Sequence, residues 1–136
     1  MGLSALDTNV LIRYVTQDDA AQYRLACDMV AGAITSGQPA VVTLLVILES
    51  EWVLRSAYQY DKAQIIAIFS DLLVSKNLFI EDETVLVQAL RLWETRAVNF
   101  ANCLILAKSL AMGCSEMFTF DKRAAKKLPN CLLLGP

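Results

Sequence analysis

Five short apolar runs set the frame of this 136-residue chain: 3–6 (LSAL), 40–42 (AVV), 77–80 (NLFI), 117–119 (MFT) and 131–134 (CLLL). Each is too short for a stable helix and most are bounded by Gly, Asn, Asp or Pro, the pattern of buried strands. Between them lie segments with helical spacing. Leu86, Ala89, Leu90, Trp93 and Ala97 recur at three- and four-residue intervals and so share one helix face. Further helices are expected at about 8–15, 19–35, 44–58, 61–74, 100–112 and 122–127. Asp61 with Gln64 approximates a capping box, Asp82 and Glu83 complement a helix N-terminus, and Gly113 follows a helix end. Strands that alternate with helices imply parallel pairing, because a parallel crossover needs a helix-sized connection. The expected class is therefore α/β, a three-layer α/β/α domain. With no Pro/Gly/Ser-rich linker, residues 1–136 are expected to form one domain.

Several chemistries are excluded at once by the absence of histidine. His-based zinc sites, Ser/His and Cys/His nucleophiles and the usual general base all go with it. Carboxylates must then carry any catalysis, and with amide and hydroxyl oxygens they form hard ligand sets suited to Mg²⁺ or Mn²⁺. The four cysteines, Cys27, Cys103, Cys114 and Cys131, contain no C-x-x-C pair, so four reduced and mostly buried thiols are expected. The longest apolar run, Ala40 to Leu48, is far short of the roughly 18 residues of a membrane span. No basic n-region opens the chain, and the expected location is the cytoplasm.

The hydrophobic fraction of 56% exceeds the roughly 45–50% of an ordinary soluble domain. A partner or homodimer is expected to cover the surplus. The segment 61–74 carries Ile65, Ile66, Ile68, Phe69, Leu72 and Leu73, too broad a stripe for burial on one side, and is a candidate subunit contact. A net charge of −2 does not announce nucleic-acid binding, so any RNA contact must be local. The basic cluster Lys122, Arg123, Lys126 and Lys127 could be such a strip or simply a solvated helix face.

In an open parallel sheet, ligands collect beyond the carboxyl ends of the strands. Asp7 ends the first run and Asp121 follows the fourth. Either could be a plain helix N-cap, but two in one sheet favour a site. Glu49 shares a stripe with Val42, Leu45, Val46, Trp52 and Val53, where an ionised carboxylate is costly unless paired or coordinated. Glu51 lies on the other face with Arg55 at i, i+4, and is expected to be an exposed ion pair without a chemical role.

Four segments around these residues resemble the successive motifs of VapC-type PIN domains: LDTNVLIRYV at Asp7, LVILESEWVLRSAY at Glu49, VNFANCLILAKSLAMGC at Asn102 and FTFDKRAAKKL at Asp121. D-T-N and T-F-D alone are short and common; all four in order over almost the whole chain are specific. The resemblance implies a PIN-like fold with a five-stranded parallel sheet and an acidic pocket at its carboxyl edge. It implies a divalent-metal endoribonuclease, the toxin of a toxin–antitoxin pair, that cuts RNA, dimerises and is silenced by a cognate VapB-type antitoxin. By the same resemblance Asp7, Glu49, Asn102 and Asp121 would hold or orient the Mg²⁺ or Mn²⁺ site. Thr8 and Asn9 would shape the turn after Asp7, and Thr119 would support the pocket with its hydroxyl.

One motif departs from the family. Where the pattern has D-F-A-D, this chain has Asn99, Phe100, Ala101 and Asn102. Asn102 takes the place of a main acidic ligand and Asn99 that of an accessory one, so five candidate carboxylates become three. Asn oxygen can still bind a hard metal, but it is neutral, and a single weakly held ion is expected. Asn99 just before a helix is also a favoured N-cap. The resulting expectation is a weakened nuclease; a non-cleaving module that binds RNA or antitoxin is the alternative. A small phosphatase is a third class, disfavoured because Asn9 stands where a dehalogenase-like phosphatase would carry a second Asp.

Overall fold

The computed structural model describes residues 2–135, which form seven helices and four short strands. The chain divides into two compact units, Met1–Glu81 and Asp82–Pro136.

In the first unit, residues 4–6 run parallel to β1 (Val41–Val42) through an Ala5–Val41 bridge, with the Leu6 amide donating to the Val41 carbonyl at 2.9 Å. On its other side β1 pairs in parallel with β2 (Phe79–Ile80), in the register Val41 with Phe79 and Val42 with Ile80. Four helices make the connections: α1 (Thr8–Thr16), α2 (Ala20–Thr35), α3 (Leu44–Ser56) and α4 (Lys62–Ser75). Helix α1 packs against α2 and α3, and α3 against α4. Each helix starts on a side-chain cap, from Asp7, Asp19, Thr43 and Asp61 respectively. These caps take backbone N–H groups that the first turn leaves without partners. The Asp61–Gln64 capping box is present in both directions.

The second unit holds α5 (Glu83–Thr95) packed on α6 (Phe100–Ala111), then β3 (Met117–Thr119), α7 (Lys122–Lys127) and β4 (Cys131–Leu133). β3 and β4 are parallel, with Met117 opposite Cys131. Trp93 of α5 and Phe100 of α6 meet with ring centroids 5.0 Å apart, a contact within the range that stabilises aromatic pairs. Gly113, at φ +98°, ends α6: its amide donates to Leu110 and the Cys114 amide to the Ser109 carbonyl, the two bonds of a Schellman stop.

Each of the five apolar runs contributes backbone pairing, and all these pairings are parallel, as the alternation with helices demands. The pairings make two short sheets among the described residues; the expected single five-stranded sheet is not seen as such. The strands have only two or three residues, and β1 and β3 give way almost at once to helices capped by Thr43 and Asp121.

Asp82 and Glu83 stand at the start of α5 as expected, although the Asp82 carboxylate pairs with Lys108 rather than capping a backbone amide. The cysteines need correction. Only Cys103 and Cys131 are buried, Cys27 is half-buried and Cys114 is exposed, and the four form no disulfide among the described residues. On α4, Ile65, Phe69 and Leu72 are buried while Ile66, Ile68 and Leu73 are half-buried, so part of its broad stripe reaches solvent. Among the described residues no helix is long and apolar enough to cross a membrane.

Candidate functional site

In the first unit the candidate residues stand where a strand gives way to a helix. Leu6 is buried beside β1, and Asp7 caps α1, its Oδ1 accepting the Val10 amide at 3.2 Å. Asp7 and Asn9 are exposed, whereas Thr8 between them is buried. The buried hydroxyl of Thr8 donates to Oε1 of Glu49, a contact between α1 and α3 that joins two motifs 41 residues apart. Helix α3 is fixed at its own start by Thr43 and by Glu81, whose Oε1 accepts the Leu44 amide at 2.8 Å.

Glu81 is a carboxylate that the motif reading did not single out. It follows β2 directly, as Asp7 follows the first run, and that position is the signal that could have found it.

The faces of α3 are reversed from the sequence expectation. Glu49 lies on an exposed stripe with Leu45 and Trp52, which are 77% and 58% exposed. Burial therefore does not constrain Glu49; the Thr8 hydroxyl does. Glu51 is the buried acid, only 2% exposed, and its Oε2 accepts from Arg55 Nε at 2.7 Å. The i, i+4 pairing was legible, but not its burial: the apolar residues on the two sides of α3 are too evenly spread to tell core from surface.

In the second unit Asn99 caps α6, its Oδ1 accepting the Asn102 amide at 2.9 Å. Asp121 caps α7, its Oδ1 accepting the Ala124 amide at 3.0 Å. Its own amide donates to the Thr119 hydroxyl oxygen at 2.9 Å, which ties β3 to the start of α7. The side chain of Asn102 then reaches Asp121, Nδ2 donating to Oδ2 at 3.4 Å. These donors hold the Asp121 carboxyl below its usual value. The Ala124 amide contributes most, and partial burial opposes it; the Arg123 amide, Asn102 and the Arg123 charge add smaller parts. Lys122, Arg123, Lys126 and Lys127 are all exposed on α7.

The donors gathered in each unit are oxygens, which suits a hard divalent cation. Among the described residues no three of His, Cys, Asp and Glu form a group that could hold a metal. A cation here would draw on amide, hydroxyl and water oxygens for much of its shell. At Asp121 it would also require Asn102 to turn its amide, because Nδ2 is now the atom presented and only Oδ1 can ligate. The residues fit such an ion in kind, with fewer negative charges than an all-carboxylate set would bring.

A family model for the PIN domain matches residues 5–128. The chain is also 23% identical over 124 residues to a VapC ribonuclease of Aquifex aeolicus (strain VF5), an alignment covering 91% of each protein. The match takes in every residue considered above, from the Asp7 turn through the Asn99–Asn102 departure to the basic helix α7. The chain belongs to the PIN-domain family.

Proposed function

We propose that this protein is a divalent-metal-dependent endoribonuclease, the toxin of a VapBC-type pair, weakened by Asn99 and Asn102. One observation carries the reading: the four motifs meet two by two, Thr8 with Glu49 and Asn102 with Asp121. Each pair brings together oxygen-bearing side chains of motifs far apart in the sequence, as a metal site requires. The family match and the named function of the Aquifex relative point the same way.

In this reading Asp7 and Glu49 in the first unit, and Asn102 and Asp121 in the second, are the residues that serve Mg²⁺ or Mn²⁺. When bound, the ion supplies Lewis acidity that makes water a better nucleophile and offsets the charge of the scissile phosphate. The chain's own residues prepare the ground. Backbone amides at the start of α7 favour an ionised Asp121, Thr8 fixes the rotamer of Glu49, and the α7 cations attract the RNA backbone. Asn9, Asn99 and Thr119 shape the turns that present them. We take residues 1–136 as one PIN-like domain with the family's five-stranded sheet, acting in the cytoplasm as a homodimer that a VapB-type antitoxin silences. Exposed Leu45 and Trp52 and the half-buried side of α4 support a protein partner.

The non-cleaving alternative has one observation in its favour, the amide nitrogen that Asn102 presents to Asp121. A Mn²⁺ titration with an RNA-cleavage assay, run on this chain beside its Asn102→Asp form, separates the two. Metal-dependent cleavage that rises in Asn102→Asp supports the nuclease. An Asn102→Asp protein that binds no Mn²⁺ and leaves RNA intact overturns it.

A further inference from the structure

The first unit contains a cavity of about 380 Å³ between α1 and α2, and Asp7 is part of its lining. Its volume is in the range of ordinary small-ligand pockets. Val10, Leu25 and Met29 give it apolar walls, and the amides of Asn9 and Gln22 stand among them. Leu25 is 68% exposed, so α2 spends a large apolar side chain on this cavity rather than on the core.

Arg13 also lines the cavity, yet its guanidinium is already committed. Nε donates to Gln22 Oε1 at 2.6 Å, and Nη1 donates to the Tyr58 hydroxyl at 2.7 Å and lies 3.5 Å from Asp18. Asp18 offsets its charge, so Arg13 is a positioning residue and not a phosphate anchor. By holding the oxygen of Gln22 it fixes which end of that amide remains to donate: the NH₂ group.

We propose that this cavity seats one unstacked nucleobase of the RNA, the base flanking the phosphate brought to Asp7, and that Gln22 reads an acceptor on the base edge. The inference rests on the nuclease reading and gives it a specificity determinant. Apolar walls take the flat faces of a base and amides pair with its edge, as in pockets that receive a base taken out of its stack. Asp7 at the lining places the cavity beside the candidate chemistry, within reach of an adjoining nucleotide.

The test measures fluorescence anisotropy of labelled 2′-O-methyl hexanucleotides, which resist cleavage, as homopolymers of A, C, G and U. The chain itself is expected to favour one of the four. Leu25→Asp, which puts a charge into the apolar wall, weakens that complex about tenfold. Gln22→Ala levels the preference among the four, and Arg13→Met, which leaves the Gln22 amide present but unheld, levels it too. Leu25 and Gln22 are both exposed, so their variants keep the fold, which melting curves verify. Unchanged affinity and base order in folded Leu25→Asp and Gln22→Ala overturn the proposal, as does an intact chain that binds none of the four. RNA cleavage by the Asn102→Asp protein is scored separately. Base preference without cleavage removes the nuclease and keeps the base site; cleavage with oligonucleotide binding indifferent to Leu25 and Gln22 does the reverse.

Discussion

Asn102 donates its side-chain Nδ2 to Oδ2 of Asp121 at 3.4 Å, while Oδ1 of the same carboxylate takes the Ala124 amide at 3.0 Å. Both oxygens of Asp121 thus meet neutral N–H donors. A carboxylate at position 102 would replace one of those donors with a like charge, stable only when a cation lies between them.

Asn102→Asp should therefore lower the melting temperature of the metal-free protein at pH 7 and make it strongly responsive to Mn²⁺. A ligand that binds only the folded state adds about 2.7 kcal/mol at a hundred times its dissociation constant. The variant is expected to regain its lost stability, and more, as Mn²⁺ rises, with a smaller response in the parent chain. Equal Mn²⁺ responses by differential scanning fluorimetry would remove the like-charge account. Asn99→Asp should change little by itself, since Asp caps a helix as well as Asn does.

Acid stability follows from the lowered carboxyl of Asp121. A group whose folded value lies below its unfolded value stabilises the fold fully above the unfolded value, here near 3.8, and loses that effect as pH falls through the folded one. Asp121→Asn keeps a competent cap but no charge. The parent should be the more stable of the two at pH 6, and the gap should close as the pH falls below 3.8. Chemical denaturation at a series of pH values checks this; a gap that widens in acid reverses the sign and rejects it.

What the sequence made legible was local. Strand ends and caps at Asp7, Asn99 and Asp121 are readable because each depends on neighbours within a few residues. The capping box at Asp61 and the Gly113 stop are readable for the same reason. The α3 faces were not: Glu49 and Glu51 are two residues apart in an apolar helix, and which one is buried is decided by the helices α1 and α4 that pack on α3. The run near residues 3–6 shows why sheet order stayed out of reach. Its pairing with Val41 rests on backbone bonds that no side-chain pattern encodes.

Thr8 is the residue whose replacement should separate positioning from folding. Thr8→Val keeps its volume and removes the hydroxyl that holds Glu49. Loss of one such bond costs about 1 kcal/mol of stability. RNA cleavage in the Asn102→Asp background should fall by tenfold or more, because misplacing a catalytic carboxylate costs more than its hydrogen bond. Thr8→Ser should restore cleavage. If Thr8→Val cleaves as well as its parent, the contact with Glu49 is structural only.

Helix α3 carries two further polar residues on its buried side, Ser50 and Glu51, and disturbing them should move stability in opposite directions. Ser50 is 1% exposed, and its Oγ has no hydrogen-bond partner among the described residues. Removing an unsatisfied buried hydroxyl relieves a desolvation cost, and Ala is the better helix former, so Ser50→Ala should stabilise the protein by about 1 kcal/mol. Its neighbour Glu51 is satisfied by Arg55, whose side chain is 51% exposed. Arg55→Met leaves the Glu51 carboxylate buried without its cation. Solvent at the Arg55 end softens the loss below that of a fully buried pair, to about 1–2 kcal/mol. Urea unfolding at pH 7 should place Ser50→Ala above the parent and Arg55→Met below it. A destabilised Ser50→Ala would mean that its hydroxyl has a partner in solution, and an unchanged Arg55→Met would mean that water alone satisfies Glu51.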